Sequence, residues 1–297
     1  MTFLQRGWLS SNHLLLQNPN ETVLIDSGYV SHAPQTVALM QQALQGRPLD
    51  RLLNTHLHSD HCGGNAALKQ AHPELQITIA PGLAPAVAAW DAQALTHAPT
   101  GQDCPPFIYD DLMRPGSELM LAGQHWQVHA APGHDPHSVI LFQPDTRVLV
   151  SADALWENGF GVVFPEIEGE DGFSGIAQTL DLIESLQAQW VVPGHGDRFS
   201  DVAGALGRAR ARLAAFRAQP VKHAGHAAKV LLKFRLLDWQ RIGDEALLRW
   251  GEDCLFLRLL HHHHFEGQNL HEWILRCMNE LVQAGAAHRE GREWVNA

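Results

Sequence analysis

The chain has 297 residues, of which 45% are hydrophobic and 18% charged, and its formal net charge is −11. This length suffices for one large domain, or for one domain with an appended segment. The negative charge argues against nucleic acid as the main partner, because phosphate binding depends on lysine and arginine. No apolar run is long enough to span a membrane. Four cysteines without paired spacing, and an N-terminus without a secretory pattern, predict reduced thiols and a cytoplasmic protein.

The N-terminal part alternates between strand-like apolar runs and a helical pattern. Residues 13–17 and 21–26 predict two strands, residues 32–45 a helix, and residues 51–54 a third strand. Asp26 lies in the turn after the second strand. Its carboxylate there either orients a ligand histidine or stabilises the turn, and the sequence leaves both interpretations open.

A dense group of metal-binding residue types follows the third strand. Residues 55–61 read Thr-His-Leu-His-Ser-Asp-His, and the candidate ligands among them are His56, His58, Asp60 and His61. Side chains spaced this closely on a loop converge on one point, and imidazole with carboxylate suits zinc and neighbouring first-row metals. Cys62 comes next and is a possible ligand, although a bystander cysteine is the preferred interpretation.

The remaining pattern up to residue 200 predicts two halves of alternating strands and helices, as in an αβ/βα sandwich. The predicted helices are residues 65–71, 82–95 and 176–186. The predicted strands are residues 76–80, 119–121, 126–129, 138–142, 148–150 and 190–192. Residues 97–106 predict a loop able to shape a substrate pocket.

Three later segments place a ligand type at the end of an apolar strand, beside a glycine or alanine turn. These candidates are His134 in Pro-Gly-His-Asp, Asp153 in Ser-Ala-Asp, and His195 in Pro-Gly-His-Gly. Each segment alone is a weak signal. Their order behind the motif at residues 55–61 is a strong one.

With this ligand order, residues 10–200 resemble the metallo-β-lactamase-fold superfamily of metallohydrolases. The resemblance implies a first metal site of His56, His58 and His134, and a second of Asp60, His61 and His195. Asp153 would bridge both sites. The expected metals are two zinc ions, with iron or manganese also possible.

The resemblance also implies a mechanism, in which a metal-bridging hydroxide attacks a carbonyl of a thioester, ester or lactone. Asp60 would orient the hydroxide and carry a proton to the leaving group. Asp153 resembles the residue of the glyoxalase II-like, lactonase and nuclease branches, whereas zinc β-lactamases place cysteine or serine there. True β-lactamase activity is therefore the less favoured alternative. An iron-binding persulfide dioxygenase branch keeps similar motifs.

From residue 201 to 297 the pattern becomes helical and ends as helix, strand, tight turn and strand, like a winged-helix domain. We therefore predict a catalytic domain over residues 1–200 and a helical, winged-helix-like domain over residues 201–297. The second domain would supply cations for an acidic or acyl-bearing small molecule. The alternatives are a metal-dependent ribonuclease or phosphodiesterase, and a DNA-binding sensor. The oligomeric state stays open.

Other residues have two interpretations each. His137 either faces the pocket as a proton donor or lies on a surface turn. Packing is preferred for His129, and the run from His261 to His264 predicts ordinary helix residues rather than a third metal site. The residues after Asp153 form either a pocket wall or a core-packing loop: Trp156, Phe160, Phe164 and Pro165.

Overall fold

A computed structural model describes every residue from Met1 to Ala297 and contains two central β-sheets. The first sheet has β1 (Thr2–Leu4), β2 (His13–Gln17), β3 (Thr22–Ile25), β4 (Arg51–Asn54), β5 (Gln76–Ile79) and β6 (Asp111–Leu112), in that order. Pairing is antiparallel from β1 to β3 and parallel from β3 to β6.

The second sheet contains β7 (Glu118–Leu121), β8 (Gln124–Ala130), β9 (Val139–Gln143), β10 (Val148–Ala152) and β11 (Trp190–Pro193). Its order is β11-β10-β9-β8-β7. Only β10 and β11 run parallel. The carboxyl ends of these two strands therefore lie side by side at one end of the sheet.

The two sheets pack face to face through side chains that point inward at alternate positions along the strands. Leu14 and Leu16 of β2 pack between the sheets, whereas Leu15 points to the outer layer. Trp126 and Val150 enter the same inner core from the second sheet. A continuous apolar layer thus holds the two sheets together.

The sandwich part of the chain contains eight α-helices, and the longer ones cover the outer faces of both sheets. In chain order they are α1 (Ala33–Leu44), α2 (Ser59–Cys62), α3 (Asn65–Ala71), α4 (Ala84–Ala89), α5 (His97–Thr100), α6 (Pro165–Glu168), α7 (Gly172–Leu186) and α8 (Val202–Ala218). Met40 of α1 packs on the first sheet, while Leu180 of α7 and Leu206 of α8 pack on the second. This layering confirms the predicted αβ/βα sandwich.

The last part of the chain is mostly helical and has its own core. It contains α9 (Pro220–Trp239), β12 (Arg241–Gly243), α10 (Asp244–Asp253), α11 (Leu255–Phe265), α12 (Leu270–Gln283), β13 (Ala287–Glu290) and β14 (Glu293–Asn296). The strands form a small antiparallel sheet in the order β12-β14-β13. The predicted terminal order of helix, strand, turn and strand is present. The closer likeness to a winged helix stays a prediction.

The two parts share side chains across the predicted boundary. Val162, from the loop that follows β10, and Ile167 of α6 are buried in the core of the C-terminal helices. Conversely, α8 packs against α7 in the sandwich core. The division between residues 200 and 201 stays a prediction, and the packing assigns α8 to the sandwich side of it.

The local structure differs from expectation between residues 82 and 106. The predicted helix over residues 82–95 is shorter, because Trp90 adopts a left-handed φ of 51° after α4. Asp91 then accepts hydrogen bonds from the backbone N–H groups of Gln93 and Ala94, which forms a separate turn. The predicted loop at 97–106 begins with the single turn of α5. None of the helices is both long enough and apolar enough to cross a bilayer.

Candidate metal centre

Loops at one end of the sandwich bring all seven predicted ligands together. The loop after β4 and the following α2 carry His56, His58, Asp60 and His61. His134 lies on the loop between β8 and β9, whereas Asp153 follows β10 and His195 follows β11. The side chains form two neighbouring groups, and within each group the potential ligand atoms lie within 4.8 Å of one another.

Two glycines permit this close approach of loops. A Cβ atom at Gly161 would overlap the His134 ring, and one at Gly194 would overlap the Asp153 carboxylate. Any larger residue at either position would displace a candidate ligand. The backbone of the loops is therefore part of the centre's construction.

The first group consists of three buried histidines, His56, His58 and His134. Nδ1 of His134 donates to the carbonyl oxygen of Val162 at 2.6 Å. A carbonyl oxygen only accepts, so Nε2 of His134 is left as the lone-pair nitrogen. That atom lies 2.8 Å from Nδ1 of His58. Burial, followed by the neighbouring imidazoles, lowers the pKa of His56 and His58 well below the usual value, so both rings are neutral.

The second group contains Asp60, His61, Asp153 and His195. Nε2 of His195 lies 3.0 Å from Oδ2 of Asp60. Oδ1 of Asp153 lies 3.5 Å from Nε2 of His61, and its Oδ2 lies 3.5 Å from Nε2 of His134. Oδ2 also lies 3.7 Å from Nε2 of His195, so the carboxylate of Asp153 stands between the two groups.

Asp26 contacts His61 on the side of the ring that faces away from the centre. Its Oδ2 accepts from Nδ1 of His61 at 2.8 Å, and its two oxygens also accept from the backbone N–H and the hydroxyl of Thr55. Asp26 therefore has both of the roles that the sequence left open, because it stabilises the turn and orients His61. With Nδ1 donating to Asp26, Nε2 of His61 faces the centre.

The charges of the second group favour a bound cation. Burial by itself lowers the pKa of His61. The carboxylates of Asp26, Asp60 and Asp153 outweigh this effect and raise that pKa well above its usual value. Burial by itself raises the pKa of Asp153, but His195 and His61 outweigh it and hold that pKa well below its usual range. The arrangement stabilises a positive charge among carboxylates at the position of the His61 ring.

Unpaired buried nitrogens show that the residues fit a metal. Nε2 of His56 and Nε2 of His61 have no hydrogen-bond partner although both residues are at most 1% exposed. Native structures seldom leave such atoms unpaired, and an ion bound by them would satisfy both. The donor set, imidazole with carboxylate, suits zinc, iron or manganese.

The other candidates lie outside the two groups. Cys62 is outside both groups, and its thiol donates to the carbonyl of Leu57. His137 is exposed on the turn after His134, and His129 lies half-buried on β8. His261 to His264 lie on α11 and belong to no metal-type cluster. Of the residues after Asp153, Trp156 and Phe164 line the pocket, whereas Phe160 packs in the sandwich core and Pro165 begins α6.

The centre opens into an amphipathic cavity. A narrow pocket over Asp60 and His134 is also lined by Trp8 and by Phe234 of α9. Trp8, Trp156 and Phe234 also line a cavity of about 590 Å³ beside it, whose walls come largely from α9 and the end of α12. The cations in this cavity wall are Arg212, Lys229 and Lys233, and its carboxylates are Glu157, Asp197 and Glu280, of which Glu280 pairs with Lys229.

Some residues of the site carried no signal in the sequence. Trp8 stacks on the His195 ring with centroids 5.5 Å apart, yet it lies in an irregular N-terminal segment. Asp135 is buried 3.7 Å from His58, and burial raises the pKa of its carboxyl group. Only its place beside His134 could have identified it. Phe234 belongs to a helix whose pattern gives no indication of what it faces.

Sequence comparison identifies the family. The profile of the Metallo-beta-lactamase superfamily matches residues 6–195. The chain therefore belongs to the metallo-β-lactamase superfamily. The histidines and aspartates of the two groups all lie within the matched residues.

Individual relatives are more distant. The chain is 26% identical over 206 residues to "Beta-lactamase-like protein 2 homolog" of Drosophila melanogaster, covering 66% of this chain and 62% of that protein. It is 28% identical over 150 residues to a hydroxyacylglutathione hydrolase of a Synechococcus strain, covering 48% of each. The chain thus spans less than two thirds of the length of these relatives.

Solved structures share the fold. A metallo-beta-lactamase family protein from Thermus thermophilus matches with a TM-score of 0.58 at 20% identity, over 99% of this chain and 97% of that chain. This likeness extends through the C-terminal helices. The protein TTHA1623, solved in a di-iron-bound form, matches with a TM-score of 0.54 at 28% identity, over 72% of this chain and 98% of that one.

Proposed function

We propose that this chain is a dinuclear zinc hydrolase that cleaves a thioester, ester or lactone at its carbonyl carbon. The observation that carries the proposal is the position of Asp153, whose two carboxylate oxygens lie 3.5 Å from a histidine of each group. A carboxylate so placed is suited to hold two ions together. His56, His58 and His134 would hold one ion, and Asp60, His61 and His195 the other.

Two divalent ions bound there would supply an activated water and polarise the carbonyl oxygen. The chain's own residues prepare this chemistry. Asp26 fixes the proton of His61 on Nδ1, and the carbonyl of Val162 does the same for His134. Both rings therefore present Nε2 to the centre without rearrangement.

Asp60 is placed to handle the proton of the reaction. It lines the pocket over the centre, and His61 and His195 lower its pKa despite burial. An ionised carboxylate at this position can accept a proton from water and pass it to the leaving group. Trp8 and Trp156 both pack against His195, and they line the same pocket as Asp60.

The cavity beside the centre indicates the kind of substrate. Arg212 donates only to the carbonyl of Phe160, and Lys233 only to neutral oxygens of Ala286 and Asn296. Neither cation forms an ion pair, so each can receive a carboxylate or phosphate of a substrate. The wall contributed by Val230, Phe234 and Leu281 is apolar and suits an acyl chain. We therefore propose an acidic, acyl-bearing small molecule as substrate.

The similarity to hydroxyacylglutathione hydrolases supports a thioester among these substrates. The net charge of −11 favours a small molecule over nucleic acid, and four free cysteines favour a reducing compartment such as the cytoplasm. The di-iron form of TTHA1623 keeps iron among the metals to be measured.

The test combines metal analysis with a substrate panel. Protein purified without added metal is analysed by mass spectrometry, then assayed with a thioester, a lactone, a β-lactam and a phosphodiester. At least two zinc ions per chain with thioester or lactone turnover are expected. A single iron without any hydrolysis would overturn the proposal and favour an iron oxygenase. Turnover of the phosphodiester alone would replace the carbonyl substrate with a phosphoryl one.

A further inference from the structure

A second cluster of ligand-type side chains lies beside the centre and takes no part in it. It consists of Cys62 at the end of α2, His97 at the start of α5, and Cys104 in the following loop. The two sulfur atoms and a ring nitrogen of His97 all lie within 4.8 Å of one another. Cys62 and His97 are at most 3% exposed, and Cys104 is half-buried.

The spacing of the sulfurs suits a tetrahedral metal. Sγ of Cys62 lies 3.7 Å from Sγ of Cys104. Two sulfurs bound to tetrahedral zinc at about 2.3 Å each lie about 3.8 Å apart. The pair therefore already has the separation that zinc requires, whereas a disulfide would need the sulfurs to approach to about 2.05 Å.

The state of His97 also suits a ligand. Its Nε2 donates to the carbonyl oxygen of Leu57 at 3.0 Å. The carbonyl cannot donate in return, so Nε2 carries the proton and Nδ1 carries the lone pair. Nδ1 is buried and has no hydrogen-bond partner. A histidine anchored through one nitrogen to a backbone carbonyl, with the other free, has the arrangement of a metal ligand.

We propose that Cys62, His97 and Cys104 bind a zinc ion at a second site, distinct from the dinuclear centre. Binding replaces the two thiol protons, so one zinc ion enters and two protons leave, with no change of oxidation state. The three side chains leave the fourth tetrahedral position to a water molecule. The site would fix α5 and the loop that follows it to α2, and these segments supply Thr100 and Gln102 to the pocket wall.

Cobalt substitution tests the proposal on the full-length protein. Thiolate bound to cobalt gives an intense near-ultraviolet charge-transfer band, and the His and Asp ligands of the dinuclear centre give none. Metal-stripped wild type is loaded with cobalt, and bound metal per chain is counted in parallel. The expected result is the band together with one more metal ion per chain than in Cys104→Ser.

The variants separate the site from general effects. Cys104→Ser alters a half-buried loop position and should keep the circular dichroism of the wild type. Cys277→Ala is the matched control, because it removes a buried thiol of α12 that lies in no metal-type cluster, and it should keep the band. If the dinuclear centre does not bind metal, the protein lacks the histidine-bound ions but still shows the thiolate band.

Two results would overturn the proposal. One is the absence of a thiolate band in wild type, with equal metal content in wild type and Cys104→Ser. The other is a disulfide in place of a metal. In that case air-exposed, unfolded protein would show two thiols fewer than reduced protein, in wild type but not in Cys104→Ser, whatever its metal content.

Discussion

The metal centre and the cavity wall beside it are built in opposite ways. The centre consists of buried polar side chains from short loops, held by specific hydrogen bonds such as those of Asp26 and Val162. The wall comes from the long helix α9 and the end of α12, whose positions follow from packing in an apolar core. The catalytic chemistry thus depends on a few specific hydrogen bonds, whereas substrate binding depends on the surface of the helices. Changes in the two regions should have different kinetic effects.

The largest expected effect is at the carboxylate between the two groups. Asp153→Ala should lose at least one metal ion per chain and reduce kcat by more than about 100-fold, because both ions lose a ligand. Metal analysis and steady-state kinetics measure this. The isosteric Asp153→Asn should show the same loss, which separates the missing charge from a cavity. The same number of bound ions as in wild type, with full turnover in Asp153→Ala, would mean that the ligand assignment is wrong.

A smaller effect is expected one contact away from the metals. Asp26→Asn removes the charge that fixes His61, and asparagine tolerates the left-handed φ of 58° at this position. Metal affinity of the second group should fall by about 10- to 100-fold in a competition titration. Asp50→Asn is the matched control, since Asp50 also accepts from a backbone N–H but contacts no ligand. Equal affinities in the two variants would contradict a role for Asp26 in orienting His61.

In the cavity wall the effect should appear in KM. Arg212→Gln removes a half-buried cation without a carboxylate partner, so KM for an acidic substrate should rise about tenfold, with kcat nearly unchanged. KM for a neutral substrate should stay the same. Arg210→Gln, two residues away on α8 and paired with Asp181 and Glu184, is the control and should leave both KM values unchanged. A fall in kcat instead would connect Arg212 to the chemistry.

The contact between the two regions should be sensitive to acid. Burial of His223 lowers its pKa to about 4 from 6.5, and its Nε2 accepts from the backbone N–H of Val163. The unfolded chain therefore binds an extra proton between these values, and the free energy of unfolding decreases as pH falls below about 6.5. From pH 7 to pH 5 the loss from this group is about 2 kcal/mol.

His223→Gln keeps a side-chain acceptor without the titration. Urea unfolding at both pH values should show a smaller acid-induced loss in this variant than in wild type. Comparing the two proteins cancels the protonation of the metal ligands, which is common to both. An identical loss in the two proteins would show that His223 is not responsible.

The sequence predicted most of the sandwich because its strands are apolar runs that end in turns. Four of the seven ligands were recognisable as a dense motif directly after a strand. The other three were recognisable because each is a histidine or aspartate that follows a strand beside a small residue. Trp8, Asp135 and Phe234 were not, because their roles depend on which distant residue they meet. The early end of α4 was missed because Trp90 adopts a left-handed conformation that its side chain does not favour.

The loop after β10 has a consequence for how the protein is made. Val162 accepts the hydrogen bond that orients His134, and its own side chain is buried in a core formed by the C-terminal helices and strands, residues 224 to 294. During synthesis on a ribosome, the sandwich strands emerge well before those helices do. The orientation of His134 is therefore completed only when nearly the whole chain has been translated, so a nascent chain would acquire full metal affinity late.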